Sequence, residues 1–255
     1  MSILMETKMN LSIFGLKNIP YLKEGDGIEK LIEESIKTSE FFIEDNDVLC
    51  IASKVVSVAE GQVMSLNEIQ VSDVAKEIHR NIPRKDPRII EIMLNLVNRD
   101  LSRLDIKKNY IGCRLENGLK LTSGGIDRKS VDEVFLLPNN PDASAKRISE
   151  YLKKSLGKNV AVVITDSDGR EDKRGATQVA IGIYGIHPLR KTEVIDSQGE
   201  TIKFQEETLC DMIAACAGLV MGQRGTGIPA VIVKGLEYEW SKTSNIKEAI
   251  NEGSY

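Results

Sequence analysis

Asn159-Val160-Ala161-Val162-Val163-Ile164-Thr165-Asp166-Ser167-Asp168-Gly169-Arg170 is the stretch on which the fold class turns. The run from Asn159 to Thr165 is short, apolar and rich in β-branched residues, which predicts a buried strand. Two acids, a hydroxyl and one glycine follow it. A doubly wound nucleotide-binding fold would carry Gly-x-Gly-x-x-Gly or a Walker P-loop after a strand, and neither pattern occurs in the chain. The reading is therefore α+β, with mixed sheets and flanking helices, and neither Rossmann nor P-loop.

Upstream lies the best-delimited helix. Asn140 can cap it, Pro141 suits its first turn, Gly157 can end it, and Ala145, Ile148 and Leu152 form its apolar stripe. Downstream, Gln178–Ile186 reads as a strand, Glu206–Met221 as a helix and Pro229–Lys234 as a closing strand. Toward the N-terminus, Leu11–Phe14 reads as a strand and Gly15–Pro20 as a turn. Gly27–Phe41 reads as a helix with Ile28, Leu31, Ile32 and Ile36 at helical spacing, and Asp47–Ala52 as a buried strand. Helices over Val71–Arg80 and Arg88–Val97 are parted by Pro83 and Pro87. Tyr110–Leu121 reads as a hairpin turning at Asn117-Gly118 in a primed turn.

Composition excludes several classes. The 255 residues carry 34 Lys+Arg against 38 Asp+Glu, a formal charge of -4. That balance lacks the broad basic surface of a non-specific nucleic-acid binder. No apolar run reaches the ~18 residues of a membrane span. Met1–Asn10 carries an acid and no continuous apolar core, so it does not read as a signal peptide. Cys50, Cys113, Cys210 and Cys216 are scattered, which suits reduced thiols and a cytoplasmic location. With only His79 and His187, a His/Cys zinc site is disfavoured, and a hard cation on oxygen ligands is the metal to expect.

Four segments carry candidate chemistry. Thr165–Gly175 places Asp166 at a strand's carboxyl end, with Ser167 and Asp168 as oxygen donors for Mg²⁺ and Arg170, Lys173 and Arg174 as anion partners; the plainer reading is a solvated charged loop. In Thr122–Arg128, paired glycines precede Asp127, which could share a cation with Asp166 or sit in an ordinary connection. Met221–Pro229 is glycine-rich after a helix, either an anion nest or a helix C-cap. Ser53 and Lys54 could meet phosphate or simply end a strand. Cys210 and Cys216 read as packing residues, His187 as a loop residue and Trp240 as a cover for the core. Together these segments suit metal-assisted phosphate chemistry better than Cys/His nucleophilic catalysis or glycoside hydrolysis.

In order and spacing, several pieces resemble the coenzyme F420-0:L-glutamate ligase (γ-glutamyl ligase) family over roughly Leu11–Leu236. They are Gly15–Pro20 with Glu24-Gly25-Asp26, Ser53–Gly61, Ser123–Arg128, Leu136–Pro138 with Pro141–Ala145, Asp166–Arg170, Val179–Gly182 and Leu219–Gln223. The resemblance implies an α+β fold particular to that family. It also implies a homodimer with a cleft at the subunit junction, and GTP-dependent amide ligation with Mg²⁺ or Mn²⁺ and a place for K⁺. L-Glutamate would join the lactyl carboxylate of F420-0 through an acyl phosphate, then a second glutamate would follow by a γ-linkage.

Carried over by position, Asp127, Asp166, Ser167 and Gln223 are the expected metal ligands. Ile19, Pro20, Tyr21, Leu22, Ser53, Lys54, Ser130 and the loop Met221, Gly222, Gln223, Arg224, Gly225, Thr226, Gly227 and Ile228 form the expected nucleotide site. Asp166 joins Arg170 and Arg174 as catalytic candidates, the two arginines for anionic substrate. Residues 1–255 are expected to form one ligase-type unit with room for two subdomains and no fused second enzyme. The chain departs from the family's usual residues at Val58 (Lys), Ser130 (Asn), Ser167 (Thr), Asp168 (an aromatic) and Gln178 (Asp). These departures keep two alternatives open: a paralogous ligase for another phosphorylated cofactor precursor, and a non-catalytic nucleotide- or cofactor-binding regulator.

Overall fold

The structure, a computed structural model, describes residues 10–170, 172–223 and 225–251. The chain begins β1 (Ser12–Gly15), α1 (Ile28–Lys37), β2 (Val48–Ala52), α2 (Ser53–Ala59), β3 (Val63–Ser65), α3 (Asp73–Asn81) and α4 (Pro87–Leu96). It continues β4 (Leu104–Lys107), β5 (Tyr110–Arg114), β6 (Lys120–Thr122), β7 (Asp127–Arg128), β8 (Glu133–Phe135) and α5 (Pro141–Leu156). It ends β9 (Ala161–Gly169), β10 (Ala176–Tyr184), β11 (Leu189–Ile195), β12 (Thr201–Thr208), α6 (Leu209–Met221) and β13 (Ala230–Lys234).

A five-stranded sheet in the order β1-β13-β2-β9-β10 organises these elements. Only β2 and β9 run parallel, and every other pairing is antiparallel, so the mixed α+β reading holds. Both faces of the sheet are buried, which is why β2 and β9 are apolar without alternation. Leu49, Ile51, Val162 and Ile164 face Ile32 of α1 and Ile148 and Leu152 of α5. Val48, Cys50, Ala161 and Val163 face Ile213, Ala214 and Ala217 of α6. A separate cluster joins Ile78 of α3 and Ile90 and Met93 of α4 to Leu66, Ile111 and Val134 around the two small sheets β3-β8-β7 and β4-β5-β6. Each fully buried Leu or Ile contributes about 1.5–3 kcal/mol.

Caps set the helix boundaries. The Asn140 side chain accepts from the Ala143 amide and Gly157 closes α5 at φ 71°, as its sequence signals predict. Asp86 caps α4 by accepting from the Arg88 amide, with Pro87 at the first helical position. Several expectations change. The first helix stops at Lys37, where Thr38 ends it, well short of Phe41. The expected helix over Glu206–Met221 begins at Leu209, because Glu206–Thr208 belong to β12. The ribbon β11–β12 escaped the sequence reading, since polar and charged residues dominate both strands and the apolar Ile195, Ile202 and Phe204 are exposed. The hairpin between β5 and β6 turns through residues 116–118: the Gly118 amide bonds the Leu115 carbonyl, and Leu115 pairs with Leu119. Only Gly118 there takes positive φ (92°), so the expected two-residue primed turn is a three-residue loop.

Candidate active site

The parallel pairing of β2 with β9 builds the centre of the site. Ala52 lies opposite Thr165, so the next residue on each chain, Ser53 and Asp166, emerges at the same edge of the sheet. The Ser53 hydroxyl donates to Asp166 Oδ1 at 2.7 Å across 113 residues of sequence. Ligands of open sheets gather at such carboxyl ends. Ser53 is not a strand-ending loop residue: it opens the helix α2, which fixes its hydroxyl and sets Lys54 beside it. Strand β9 likewise runs on to Gly169, so Asp166 and Ser167 sit on regular backbone and not in a charged loop.

Asp127 reaches this edge from β7. Lys54 Nζ stands 2.7 Å from Asp127 Oδ2 and lies 5.4 Å above the ring of Phe135. Two hydrogen bonds tie this part of the chain to the strand end: the Thr122 amide donates to Asp168 Oδ1 at 2.8 Å, and the Thr122 hydroxyl to the Gly169 carbonyl at 2.9 Å. Between Thr122 and Asp127 the backbone makes a tight turn, with Ser123, Gly124 and Gly125 all at φ of 59–70°. A Cβ on Gly125 would meet the Leu137 side chain at 2.7 Å, so that glycine is required by both conformation and space.

Thr122, Ser123, Asp127, Asp166 and Ser167 line a cavity of about 330 Å³ that also takes in Arg84, Lys85, Asp86 and Arg128, while Ser53 and Lys54 are bonded to the two aspartates outside its lining. Its two ends differ in sign. At the acidic end, burial, and then the charge of Asp127, push the Asp166 carboxyl up to about 7; the Ser53 hydroxyl and Lys54 act against that rise. At the basic end Asp86 accepts from Arg88 and, at 2.8 Å, from Arg128, so its carboxyl is held well below the usual range by the Arg88 bond first. The sequence reading missed Arg84, Lys85 and Asp86, because Pro83 and Pro87 marked that segment only as a break between helices.

Alternation along β9 divides the oxygen donors between two faces. Asp166 shares its face with Ile164, whereas Ser167 follows Thr165, whose hydroxyl lies 3.9 Å from Met221 Sδ on the α6 side. Opposite Ser167 in the ladder stands Gln178. Its buried amide oxygen has no hydrogen-bond partner among the described residues. No group of three His, Cys, Asp or Glu side chains among those residues forms a ready metal cage. The two carboxylates, Asp127 and Asp166, nevertheless suit a hard cation that completes its shell with phosphate and water oxygens.

The remaining expected residues are more dispersed. Ile19 and Leu22 pack on the core beside Val55 and Ala59 of α2, and the same loop is tied down by the Gly25 amide on the Ala59 carbonyl. Tyr21, between them, is fully exposed. Ser130 is spent locally, its amide bonding the Glu133 carbonyl. Gln223 is exposed beyond α6, and no contact among the described residues brings it to Asp127 or Asp166. The loop around it is shaped by the Thr226 hydroxyl, which donates to the Met221 carbonyl, and by Ile228, whose methyl a Cβ on Gly15 would meet at 2.7 Å. Arg224 lies outside the described residues. Arg170 and Arg174 are exposed in the loop past the strand end.

The blander readings also hold. Cys210 is buried and its thiol pushed up to about 12 by burial, so it packs and does not react. All four cysteines are free. His187 Nδ1 bonds Ser244 away from the cavity, and Trp240 packs edge-on to Tyr184 at 6.3 Å. No helix among the described residues is long and apolar enough to cross a membrane.

Comparison with known proteins covers nearly the whole chain. Residues 17–235 match the family described as F420-0:Gamma-glutamyl ligase. The chain is 35% identical over 94% of its length, and 92% of the relative's, to a protein of Methanosarcina mazei named Coenzyme F420:L-glutamate ligase. Proteins of the same name from Methanothermobacter thermautotrophicus and Archaeoglobus fulgidus are 34% and 36% identical, covering 91% and 89% of this chain and the same shares of their own. Ser53, Lys54, Asp127 and Asp166 all fall inside the matched span, and the chain is a ligase that belongs to the F420-0:gamma-glutamyl ligase family.

Proposed function

We propose that this ligase joins L-glutamate to the lactyl carboxylate of F420-0 at the expense of GTP, and then adds a second glutamate through a γ-linkage. The observation that carries the reading is the meeting of four side chains where β2 ends beside β9: Ser53 bonds Asp166, Lys54 pairs with Asp127, and both aspartates line the cavity. A free carboxylate is a poor acyl donor, because oxide is a poor leaving group. Attack of the carboxylate oxygen on the γ-phosphorus forms an O–P bond and expels GDP. Attack of the glutamate amine on the resulting acyl carbon forms the C–N bond and expels phosphate, and the amine proton passes to solvent.

In this reading Lys54 and the Ser53 hydroxyl, now bonded to Asp127 and Asp166, turn to orient the phosphoryl group, and the buried setting of Asp166 limits competing water. Asp127 and Asp166 would hold Mg²⁺ or Mn²⁺, which supplies charge neutralisation for the phosphates, while Ser167 and the unpaired Gln178 oxygen offer donors on the opposite face of β9. K⁺ and the loop from Met221 to Ile228 belong to the same reading as nucleotide-side elements. A homodimer is also part of it, supported by Ile195, Ile202 and Phe204, which the β11–β12 ribbon leaves exposed.

Purified protein given GTP, Mn²⁺, L-glutamate and F420-0 should release GDP and yield mono- and diglutamylated product by mass spectrometry. Val58 and Ser130, where the family usually has Lys and Asn, favour one second reading: a paralogous ligase for another phosphorylated precursor. In that case GDP release would require a different acceptor. GTP binding without turnover on any acceptor would instead mark a regulator.

A further inference from the structure

Lys85 is a charged group whose partners are incomplete. Its ammonium donates to the hydroxyl of Ser123, and no carboxylate among the described residues pairs with it. The nearby acids are already engaged: Asp86 by Arg88 and Arg128, and Asp127 by Lys54. Burial pushes its pKa down, and the charge of Asp127 acts against that fall without forming an ion pair. Ser123 is itself buried and held at φ 59°, a left-handed backbone that a non-glycine residue adopts at some cost. That conformation seats its hydroxyl under Lys85 on the wall of the cavity that Asp127 and Asp166 also line.

The proposed ligation, on which the role of Lys85 rests, sets a matching electrostatic problem. The incoming amino acid carries carboxylates as well as an amine, and in that reading the end of the cavity with Asp127 and Asp166 is taken by the cation and the phosphoryl group. The basic end, with Lys85 flanked by Arg84 and Arg128, attracts carboxylates. A volume of about 330 Å³ is at the small end of ligand pockets, suited to an amino acid and not to a whole cofactor.

We propose that Lys85, seated on Ser123, binds a carboxylate of the incoming amino acid and so turns its amine toward the Asp127–Asp166 end of the cavity. Arg170 and Arg174, exposed past the strand end, are then not needed for this contact.

The test compares wild type with Lys85→Met, Lys85→Arg and Ser123→Gly, the last of which keeps the backbone conformation and removes the hydroxyl. A charge-assisted bond to carboxylate is worth about tenfold or more in affinity. Lys85→Met should raise the KM for L-glutamate by about that factor while leaving the KM values for GTP and F420-0 within about twofold. Lys85→Arg should recover part of the loss, and Ser123→Gly should show a smaller one. L-Glutamine and L-glutamate α-amide as alternative substrates identify which carboxylate is held, since removing that one makes wild type behave like Lys85→Met.

Calorimetric titration of L-glutamate into the full chain with Mn²⁺ and GDP gives the same comparison without turnover. An unchanged glutamate affinity in Lys85→Met, or a rise in the F420-0 KM in place of the glutamate KM, overturns the proposal and leaves the ligase reading standing. Glutamate binding that depends on Lys85 in a protein that never glutamylates F420-0 does the reverse. If Lys85→Met does not fold, Lys85→Gln takes its place, and normal glutamate binding in Lys85→Gln overturns the proposal.

Discussion

Replacing Asp166 by Asn should stabilise the metal-free protein at high pH while abolishing its response to divalent cations. The carboxyl is buried and its pKa is lifted from 3.8 to about 7, first by burial and then by the charge of Asp127. A folded-state pKa above the unfolded one means that the native protein binds the proton more tightly. Stability is therefore greatest below about pH 4 as far as this group is concerned, and is lost as pH rises through 7. Three pK units at 1.36 kcal/mol each set a ceiling of about 4 kcal/mol at pH 8, of which about 1.5 kcal/mol is already lost at pH 5. Asn keeps an oxygen to accept the Ser53 hydroxyl at nearly the same volume, without the charge. Urea unfolding in EDTA at pH 5 and pH 8 reads the difference: wild type should lose about 2–3 kcal/mol more than Asp166→Asn over that interval. Adding Mn²⁺ at pH 8 should raise the wild-type midpoint and leave the variant's unchanged, because only a folded-state ligand stabilises. Equal pH slopes in the two proteins, or an equal Mn²⁺ shift, would refute both the buried charge and its role as a cation ligand.

Lys54→Met should raise the GTP KM by about tenfold, since it removes a phosphate-directed cation, yet change urea stability by under about 1 kcal/mol because the Lys54–Asp127 pair is part-exposed. Gly182→Ala should lower the melting temperature by roughly 6–12 °C, as its Cβ would stand 2.5 Å from the Pro141 carbonyl carbon and force about 3 kcal/mol of strain at the start of α5. Asp86→Asn should cost about 1–3 kcal/mol at neutral pH. Because the Asp86 pKa is depressed, its contribution is present above about pH 4 and fades as pH falls, so the variant's acid-unfolding limb, followed by circular dichroism, should be flatter than wild type's. Light scattering of Ile202→Lys/Phe204→Glu should give a monomer where wild type gives a dimer; an unchanged mass would remove the ribbon from the interface.

The elements most legible in the sequence were those whose signals are local. Asn140, Pro141 and Gly157 delimit α5 because caps and turn glycines act within a few residues, and the apolar runs of β2 and β9 show directly that both faces are covered. The site was legible only in part. Ser53, Lys54, Asp127 and Asp166 were identifiable because each follows or enters a strand, and the family resemblance tied them together. Their geometry was not, since it depends on the parallel register of Ala52 with Thr165, a contact that no local pattern encodes. Asp168 illustrates the same limit: its carboxylate reads as one more candidate ligand, and its actual partner is the Thr122 amide 46 residues away.

That latch explains why the site needs both halves of the molecule. Ser53 and Asp166 are rigid because the five-stranded sheet is buried on both faces, while Asp127 and Lys85 belong to the layer packed around α3 and α4. The two layers meet at the cavity through Thr122 on Asp168 and Gly169, and through Lys54 on Asp127. Asp127 adds to the rise at Asp166 that burial begins, and it does so only while those contacts hold. A cation shared by the two aspartates would reinforce the docking of the layers by neutralising the repulsion that opposes it. Cation binding should therefore be weakened when the Thr122 contacts are removed, and added cation should raise the stability of the pair of layers.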